Sequence, residues 1–440
     1  MTRIGMVSLG CPKNQVDAER MLAILKKDGY EIAYDAAMSD VVIINTCGFI
    51  QSAKEEAIET ILEFCTLKKE GRIKAVIVTG CLAERYRDEV LKEIPEVDAV
   101  IGIGKNDDIS EIIRKVYMGD RVLTFGDKKD LCFDENRILS TPGYLAYIKI
   151  AEGCDNRCSY CAIPGIRGSF RSRTLESIVN EAKLLAKNGV KEIVLIAQDT
   201  TRYGEDIYGE PKLAQLLREL DGIDGLKWIR TLYMYPERIT DELIDVFATG
   251  KRIVPYMDIP MQHCDRDILK RMNRPGDEDK LLGLVEKIRG KVPRVVLRTT
   301  LIAGFPGESE EHFTSLCEFV KKTEFERLGC FAYSPEEGTP AAELEGQLDD
   351  EIKEHRAQIV YDEQSRIMFV KNEGMIGKTL EVVCEGFDRY AECFFGRSYM
   401  DAPEIDGKIF FTADKKPSTG EFVSVKITDT IDFDLIGEMI

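Results

Sequence analysis

No apolar run in the 440 residues approaches the roughly 18 consecutive positions a membrane helix needs, so no span across a bilayer is expected. Net positive charge is also absent: 60 Lys and Arg against 78 Asp and Glu leave −18. Net charge therefore does not draw this chain onto nucleic acid or an anionic membrane, although a local basic groove stays open. The first residues lack the long apolar core and cleavage site of a secretory signal, which makes the cytoplasm the expected location. There is no internal repeat beyond an alternation of strand and helix, and no low-complexity tract. An apolar fraction of 44% and a charged fraction of 31% exclude global disorder. At about 150 residues per domain, the length suggests about three domains.

The 13 cysteines are an odd number in a long chain, which does not suit a disulfide framework. Only Cys154, Cys158 and Cys161 cluster tightly.

Residues 1–118 alternate near-continuous apolar runs (Arg3–Leu9, Val41–Asn45, Ala75–Thr79, Ala99–Ile103) with amphipathic stretches (Gln15–Asp28, Ala53–Leu67, Glu84–Glu93, Asp108–Met118). Strands buried on both faces read this way, so an open doubly wound parallel sheet is expected. Residues 119–143 are charged and irregular and read as a linker or cross-strap. From 144 to 371 six further βα units follow, with strands expected at Leu145–Ile150, Glu192–Ala197, Trp228–Tyr233, Tyr256–Ile259, Arg294–Leu301 and Arg327–Tyr333, and a charged exit helix at Asp349–Lys371. A complete barrel has eight units, so this is a partial (βα)6 barrel. Residues 372–440 switch to short alternating strands between Gly, Pro and Asp turns, the pattern of a small all-β barrel.

The motif Glu152-Gly153-Cys154-Asp155-Asn156-Arg157-Cys158-Ser159-Tyr160-Cys161 falls just after the first barrel strand, where barrel active sites lie. Thiolates suit iron-sulfur clusters and zinc. Structural zinc wants four ligands, and no fourth Cys or His is near. Three thiolates on a 4Fe-4S cluster leave one iron open. Gln198-Asp199, Gln262-His263, Gly304 to Glu308 and the stretch from Tyr333 to Thr339 follow other strands, and polar groups converging at one mouth suit a polar cofactor. Taken singly, Gly304 and Gly307 are as readily turn residues, and His263 a structural histidine. Arg167, Arg171 and Arg173 follow the cluster loop. They either line the mouth, bind an anionic substrate group or lead solvated into a helix.

Cys11, Cys47 and Cys81 each end a predicted parallel strand, at intervals of 36 and 34 residues. The carboxyl ends of neighbouring strands form the ligand crevice of an open α/β sheet, so these three thiols should converge. The alternative is three ordinary buried cysteines. Cys65, Cys132, Cys264, Cys317, Cys330, Cys384 and Cys393 lack partners at ligand spacing and read as packing residues, with Cys264 nearest the mouth.

The three-then-two spacing with Tyr160 before the last Cys resembles the radical S-adenosylmethionine (SAM) enzymes. In that family the open iron chelates SAM, and an electron from the cluster cleaves the sulfonium to a 5′-deoxyadenosyl radical. The resemblance gives Tyr160, Gln198, Asp199, Gln262, Arg298, Gly304 and Glu308 as candidate cofactor contacts, Arg298 either pairing with the SAM carboxylate or facing solvent. With the N-terminal three-cysteine domain and a C-terminal domain similar to TRAM domains, the whole chain resembles the radical SAM methylthiotransferases. Ser8-Leu9-Gly10-Cys11-Pro12-Lys13-Asn14 and the stretch from Gly396 to Gly407 are similar to the branch acting on small-subunit ribosomal protein S-twelve. The resemblance implies two 4Fe-4S clusters, on Cys11, Cys47 and Cys81 and on Cys154, Cys158 and Cys161. It implies SAM as radical source and methyl donor, and methylthiolation of an aspartate β-carbon. An electron donor is required as a partner.

TRAM domains often bind RNA, yet from Lys371 onward 8 Lys or Arg face 14 Asp or Glu. An acidic surface suits a basic protein partner, so direct nucleic-acid binding is not expected, although acidity also serves solubility. Two rivals stay open: a tRNA adenosine methylthiotransferase, and a non-catalytic zinc-binding adaptor.

Overall fold

Runs such as Val41–Thr46 and Ala75–Gly80 are apolar at almost every position, and both are buried throughout. They form the centre of a parallel sheet whose two faces are both covered. The computed structural model describes residues 2–130 and 136–440, so Cys132 lies outside the described residues. Its N-terminal sheet has β1 (Arg3–Ser8), β2 (Glu31–Ile32), β3 (Val41–Thr46), β4 (Ala75–Gly80), β5 (Ala99–Ile101) and β6 (Val122–Thr124), in the order β2-β1-β3-β4-β5-β6. All its pairings are parallel. Helix α1 (Pro12–Lys27) packs Met21 and Leu25 on one face, and α2 (Gln51–Lys69) packs Ala57, Ile61 and Phe64 on the other. The winding reverses between β1 and β3, which opens a crevice at their carboxyl ends.

Three local features differ from expectation. The edge strands β2 and β6 span two and three residues, too short for a periodicity to register. β6 lies inside the segment read as linker. The expected helix Glu84–Glu93 is two helices, α3 (Cys81–Tyr86) and Asp88–Glu93, parted at Arg87 with φ 46°. Past the undescribed residues, the Ile138 N–H donates to the Glu19 carbonyl at 3.1 Å, and Arg137 pairs with Glu19 at 2.5 Å and Glu181 at 2.8 Å. This stretch therefore straps the N-terminal layer to the next domain.

That domain is an open six-stranded parallel sheet, β7 (Leu145–Lys149), β8 (Glu192–Ile196), β9 (Trp228–Thr231), β10 (Ile253–Asp258), β11 (Val296–Ala303) and β12 (Arg327–Ala332), in sequential order. Ile193, Leu195, Ile229 and Met257 face the surrounding helices in the largest core. Val194, Ile196, Tyr256 and Val296 face inward and share a core with Val383, Met400 and Ala402 of the C-terminal domain.

The last domain is a closed five-stranded barrel of β13 (Thr379–Asp388), β14 (Cys393–Arg397), β15 (Ile409–Thr412), β16 (Phe422–Ile431) and β17 (Asp434–Met439). It is clamped to the open barrel by buried charges. Arg397 and Arg230 hold Glu192 at 2.9 and 3.0 Å, Arg327 pairs with Asp401, and the Tyr256 hydroxyl donates to Asp406 at 2.6 Å.

Candidate active site at the domain seam

Because β1, β3 and β4 are neighbours, the residues that follow them meet at one edge, and Cys11, Cys47 and Cys81 are those residues. Gly10 takes φ +84°, and a Cβ there would stand 2.6 Å from the Cys47 Cβ, so only glycine lets the two turns close. Asn14 ties the turns together: its Nδ2 donates to the Leu9 carbonyl at 3.0 Å and the Thr46 carbonyl at 2.9 Å, and the Cys81 thiol lies 3.5 Å from its Oδ1. All three thiols are free. Burial pushes the Cys81 thiol up to about 12, with Arg167 opposing and the charges of Cys11 and Cys47 adding.

Cys154, Cys158 and Cys161 occupy the loop between β7 and the short helix α4 (Ile163–Arg167). The Ser159 N–H donates to the Met272 carbonyl at 3.0 Å, the Ser159 hydroxyl to the Arg271 carbonyl at 2.8 Å, and Asn273 Nδ2 to the Arg157 carbonyl at 2.7 Å. The Cys158 sulfur is 2.6 Å from the Tyr235 hydroxyl, and Arg274 stacks over the Tyr235 ring at 4.1 Å. Burial raises Cys154 to about 11 and Cys161 to about 12.

Among the described residues no three His, Cys, Asp or Glu gather tightly enough to hold one metal ion. A cubane takes its thiolates at separate corners, whereas structural zinc needs a closed tetrahedron of four. Two groups of three free thiols, with no fourth protein ligand among the described residues, fit a 4Fe-4S cluster each.

The groups meet across a seam of buried charge. Arg167 follows Cys161 by six residues and is 1% exposed. Its Nη1 donates to Glu152 at 2.9 and 3.0 Å and to Asp17 of α1 at 3.1 Å, and its Nη2 to Asn14 Oδ1 at 2.5 Å. Lys149 pairs with Asp17 and, at 2.6 Å, with Glu152. Burial alone would raise the Glu152 pKa, but Arg167 and Lys149 outweigh it and hold the carboxyl below its usual range. Farther along, Arg85 of α3 and Lys54 of α2 hold Glu336 at 2.8 and 3.1 Å. A cavity of about 440 Å³ opens on this seam, lined by Arg85, Arg87, Arg157, Cys158, Cys161 and Glu337 among others.

The other expected contacts divide. Gln198 donates to Glu152 at 3.0 Å while its Oε1 is buried without a partner, and Asp199 accepts from Asn156 at 2.7 Å. Gln262 sits at φ +70°, bridged through its backbone to Leu301. Tyr160 is packed against Arg274. The remaining expected contacts have structural partners. Arg298, expected to meet either cofactor or solvent, pairs instead with Asp258 at 2.8 Å and Asp406 at 3.6 Å. Glu308 is buried on Arg356 at 2.8 Å, with His263 at 3.4 Å and the Gly304 N–H at 3.0 Å. Gly304 is a left-handed turn against Lys353, and His263 accepts the Asp265 N–H at 2.9 Å. Arg167 and Arg173 are buried in ion pairs, so they are not the solvated lead-in that remained open. Cys264 is fully buried in the large core and packs there.

Sequence reasoning missed Asp17, Lys149, Glu152, Tyr235 and Arg274. Glu152 and Lys149 do carry a signal: charges at i and i+3, one ending a fully buried strand and one just beyond it in an apolar run, must be paired.

Residues 3–102 match the model described as uncharacterized protein family UPF0004, residues 148–320 that of the radical SAM superfamily, and residues 376–440 that of the TRAM domain. The chain is 50% identical over 440 residues, the full length of both, to the ribosomal protein uS12 methylthiotransferase RimO of Thermoanaerobacter sp. (strain X514). It is 48% identical over 441 residues to the protein of the same name from Geobacter sulfurreducens, covering 100% of this chain and 98% of that one. Among solved structures, its fold is like that of TsrM from Kitasatospora setae, a radical S-adenosylmethionine methyltransferase, with TM-score 0.57 at 15% identity over 78% of this chain and 75% of that one. No helix among the described residues is long and apolar enough to cross a membrane.

Proposed function

This chain belongs to the RimO family of ribosomal protein uS12 methylthiotransferases, and we propose that it methylthiolates the β-carbon of one aspartate of that protein in the cytoplasm. Its radical SAM domain carries SAM and a 4Fe-4S cluster; we propose a second cluster on Cys11, Cys47 and Cys81. A cluster held by Cys154, Cys158 and Cys161 would supply the electron for SAM cleavage, one held by Cys11, Cys47 and Cys81 would supply sulfur, and a second SAM would supply the methyl group.

The observation that carries this reading is that Arg167, six residues beyond Cys161, reaches across the seam to Asn14, whose Oδ1 lies beside the Cys81 thiol. The chain's own part is placement. Gly10 and Asn14 draw the N-terminal thiols together, the Ser159 and Asn273 hydrogen bonds fix the barrel loop, and the buried pairs on Glu152 and Glu336 keep the halves in contact. Closure of this kind excludes water from reactive intermediates. The acidic balance of the C-terminal domain supports a basic protein substrate.

The test is anaerobic. Reconstituted protein is expected to hold about eight iron atoms per chain, from two four-iron cubanes. Mass spectrometry of uS12 from a deletion strain, treated with enzyme, is expected to gain one SCH3 in place of hydrogen on an aspartate peptide. Cys158→Ala abolishes SAM cleavage, whereas Cys47→Ala spares cleavage and stops sulfur transfer. The same mass shift on tRNA adenosine instead of uS12, or a colourless zinc protein, would overturn the reading.

A further inference from the structure

Lys13 lies in the first turn of α1, two residues beyond Cys11, and is 7% exposed. Its side chain crosses from the N-terminal domain to the barrel, where Nζ stands 3.1 Å from the centroid of the Tyr233 ring. Among the described residues that amine has no hydrogen bond and no ion pair. The nearby carboxylates already have partners. Asp258 takes Arg298 at 2.8 Å and the Tyr233 N–H at 2.9 Å. Glu152 takes Arg167, Lys149 and Gln198. The Cys11 thiolate is committed to iron under the proposed function.

An ammonium on a largely buried side chain that rests on an aromatic ring with neither a hydrogen bond nor an ion pair is an incomplete arrangement: the ring offsets part of the desolvation cost, and a paired anion would offset more. Two further observations point to a ligand at this place. Tyr233 holds φ +61° just past the end of β9, a backbone that residues other than glycine rarely adopt and that persists where the surroundings enforce it, as at ligand sites. Gln198, hydrogen-bonded to the same Glu152, keeps its Oε1 buried and unpartnered.

We propose that Lys13 is the substrate anchor: its ammonium takes the carboxylate of the side chain that receives the methylthio group, and so holds the adjacent β-carbon between the two cysteine groups. This rests on the function proposed above and adds the residue that recognises the acceptor. A carboxylate neutralises the lone buried charge, whereas an asparagine amide does not, so the anchor also sets specificity for an acidic side chain.

The test measures binding of fluorescently labelled uS12 to the anaerobically reconstituted full chain, with the target aspartate intact or changed to asparagine. Wild type is expected to prefer the aspartate form by about thirtyfold, the least expected when one partner of a buried charge pair is removed. Lys13→Met is expected to bind both forms alike, with unchanged iron content, and Lys13→Arg to keep part of the preference. If Lys13→Met does not take up iron, Lys13→Gln carries the same comparison. A preference that survives in the Lys13 variants, an equal loss for both forms, or weakened SAM binding with the preference intact overturns the anchor while leaving the function standing. Wild-type protein that neither binds nor modifies uS12 sinks the function, and the anchor with it.

Discussion

Arg167→Met tests whether the seam is held by charge. The guanidinium is buried and makes four hydrogen bonds, two to Glu152 and one each to Asp17 and Asn14. At about 1.5–3 kcal/mol for each bond to a charged group, a simple sum over four would be about 6–12 kcal/mol. The bonds share one cation, so they do not add, and removing one partner of a buried pair costs about 3–5 kcal/mol. Lys149 remains, but one ammonium then faces both Asp17 and Glu152. Asp17 and Asn14 belong to α1 and Glu152 to the barrel, so most of the loss falls on the contact between domains and little on either core. Urea unfolding of the anaerobically reconstituted protein should show that loss, about 3–5 kcal/mol, and Arg167→Lys should show roughly half of it, since the charge stays and the fork goes. Hydrogen exchange should rise in residues 12–27 and 152–168 while β8 and β9 stay protected. A change below about 1 kcal/mol, the size of an exposed pair, or unaltered exchange on both sides of the seam would refute the reasoning.

Gly10→Ala is expected to lower iron from about eight to about four atoms per chain while SAM cleavage continues, because the added Cβ would stand 2.6 Å from the Cys47 Cβ at a left-handed φ; iron and sulfide analysis with a deoxyadenosine assay checks both halves. Stability should also depend on pH in one direction. Burial would raise Glu192, but Arg397 and Arg230 outweigh it, and burial would raise Glu308, but His263 and the Gly304 N–H with Arg356 outweigh it, so both carboxyls are held below their usual range. A lowered folded-state pKa contributes stability that is present above the unfolded value, about 4.3, and lost as pH falls through the folded one. Denaturation midpoints should therefore hold between about pH 6 and 8 and fall below about pH 4.5; a midpoint unchanged at pH 4 would contradict these pairs.

The parallel strands were legible because burial on both faces leaves an unbroken apolar run, and β3 and β4 are buried at every position. Their order in turn made the meeting of Cys11, Cys47 and Cys81 legible, since a parallel sheet with short crossovers brings strand ends together. Side-chain partners across the seam were not legible. Asp17 and Glu152 are 135 positions apart and meet only through Arg167 and Lys149. Arg298 shows the same limit. It was expected at cofactor or solvent, but the barrel places it opposite Asp258 in register, and Asp406, more than a hundred residues later, completes the pair. Periodicity reports which face a residue occupies; it carries no information about which distant charge arrives on that face.

The C-terminal domain changes what its own acidity means. Asp401 and Asp406 count toward the negative balance of the last 70 residues, yet Asp401 is buried and the Asp406 side chain is 5% exposed, packed against Arg327, Arg298 and Tyr256. With Met400 and Ala402 they fill the inner face of the open barrel beside Tyr256 and Val296. Above that plug, Arg298 holds Asp258, Asp258 holds the Tyr233 N–H, and Lys13 covers the Tyr233 ring. One column of alternating charge thus runs from the C-terminal domain through the barrel to the N-terminal domain, and it ends on Lys13, which has no ion pair among the described residues. Substitution at the lower end separates support from recognition: Asp406→Asn removes the carboxylate that faces Arg298 at 3.6 Å, so its effect falls on the seat of the C-terminal domain, while the preference of Lys13 for aspartate over asparagine persists. If Asp406→Asn erased that preference with folding and iron content intact, recognition would be a property of the whole column and not of Lys13.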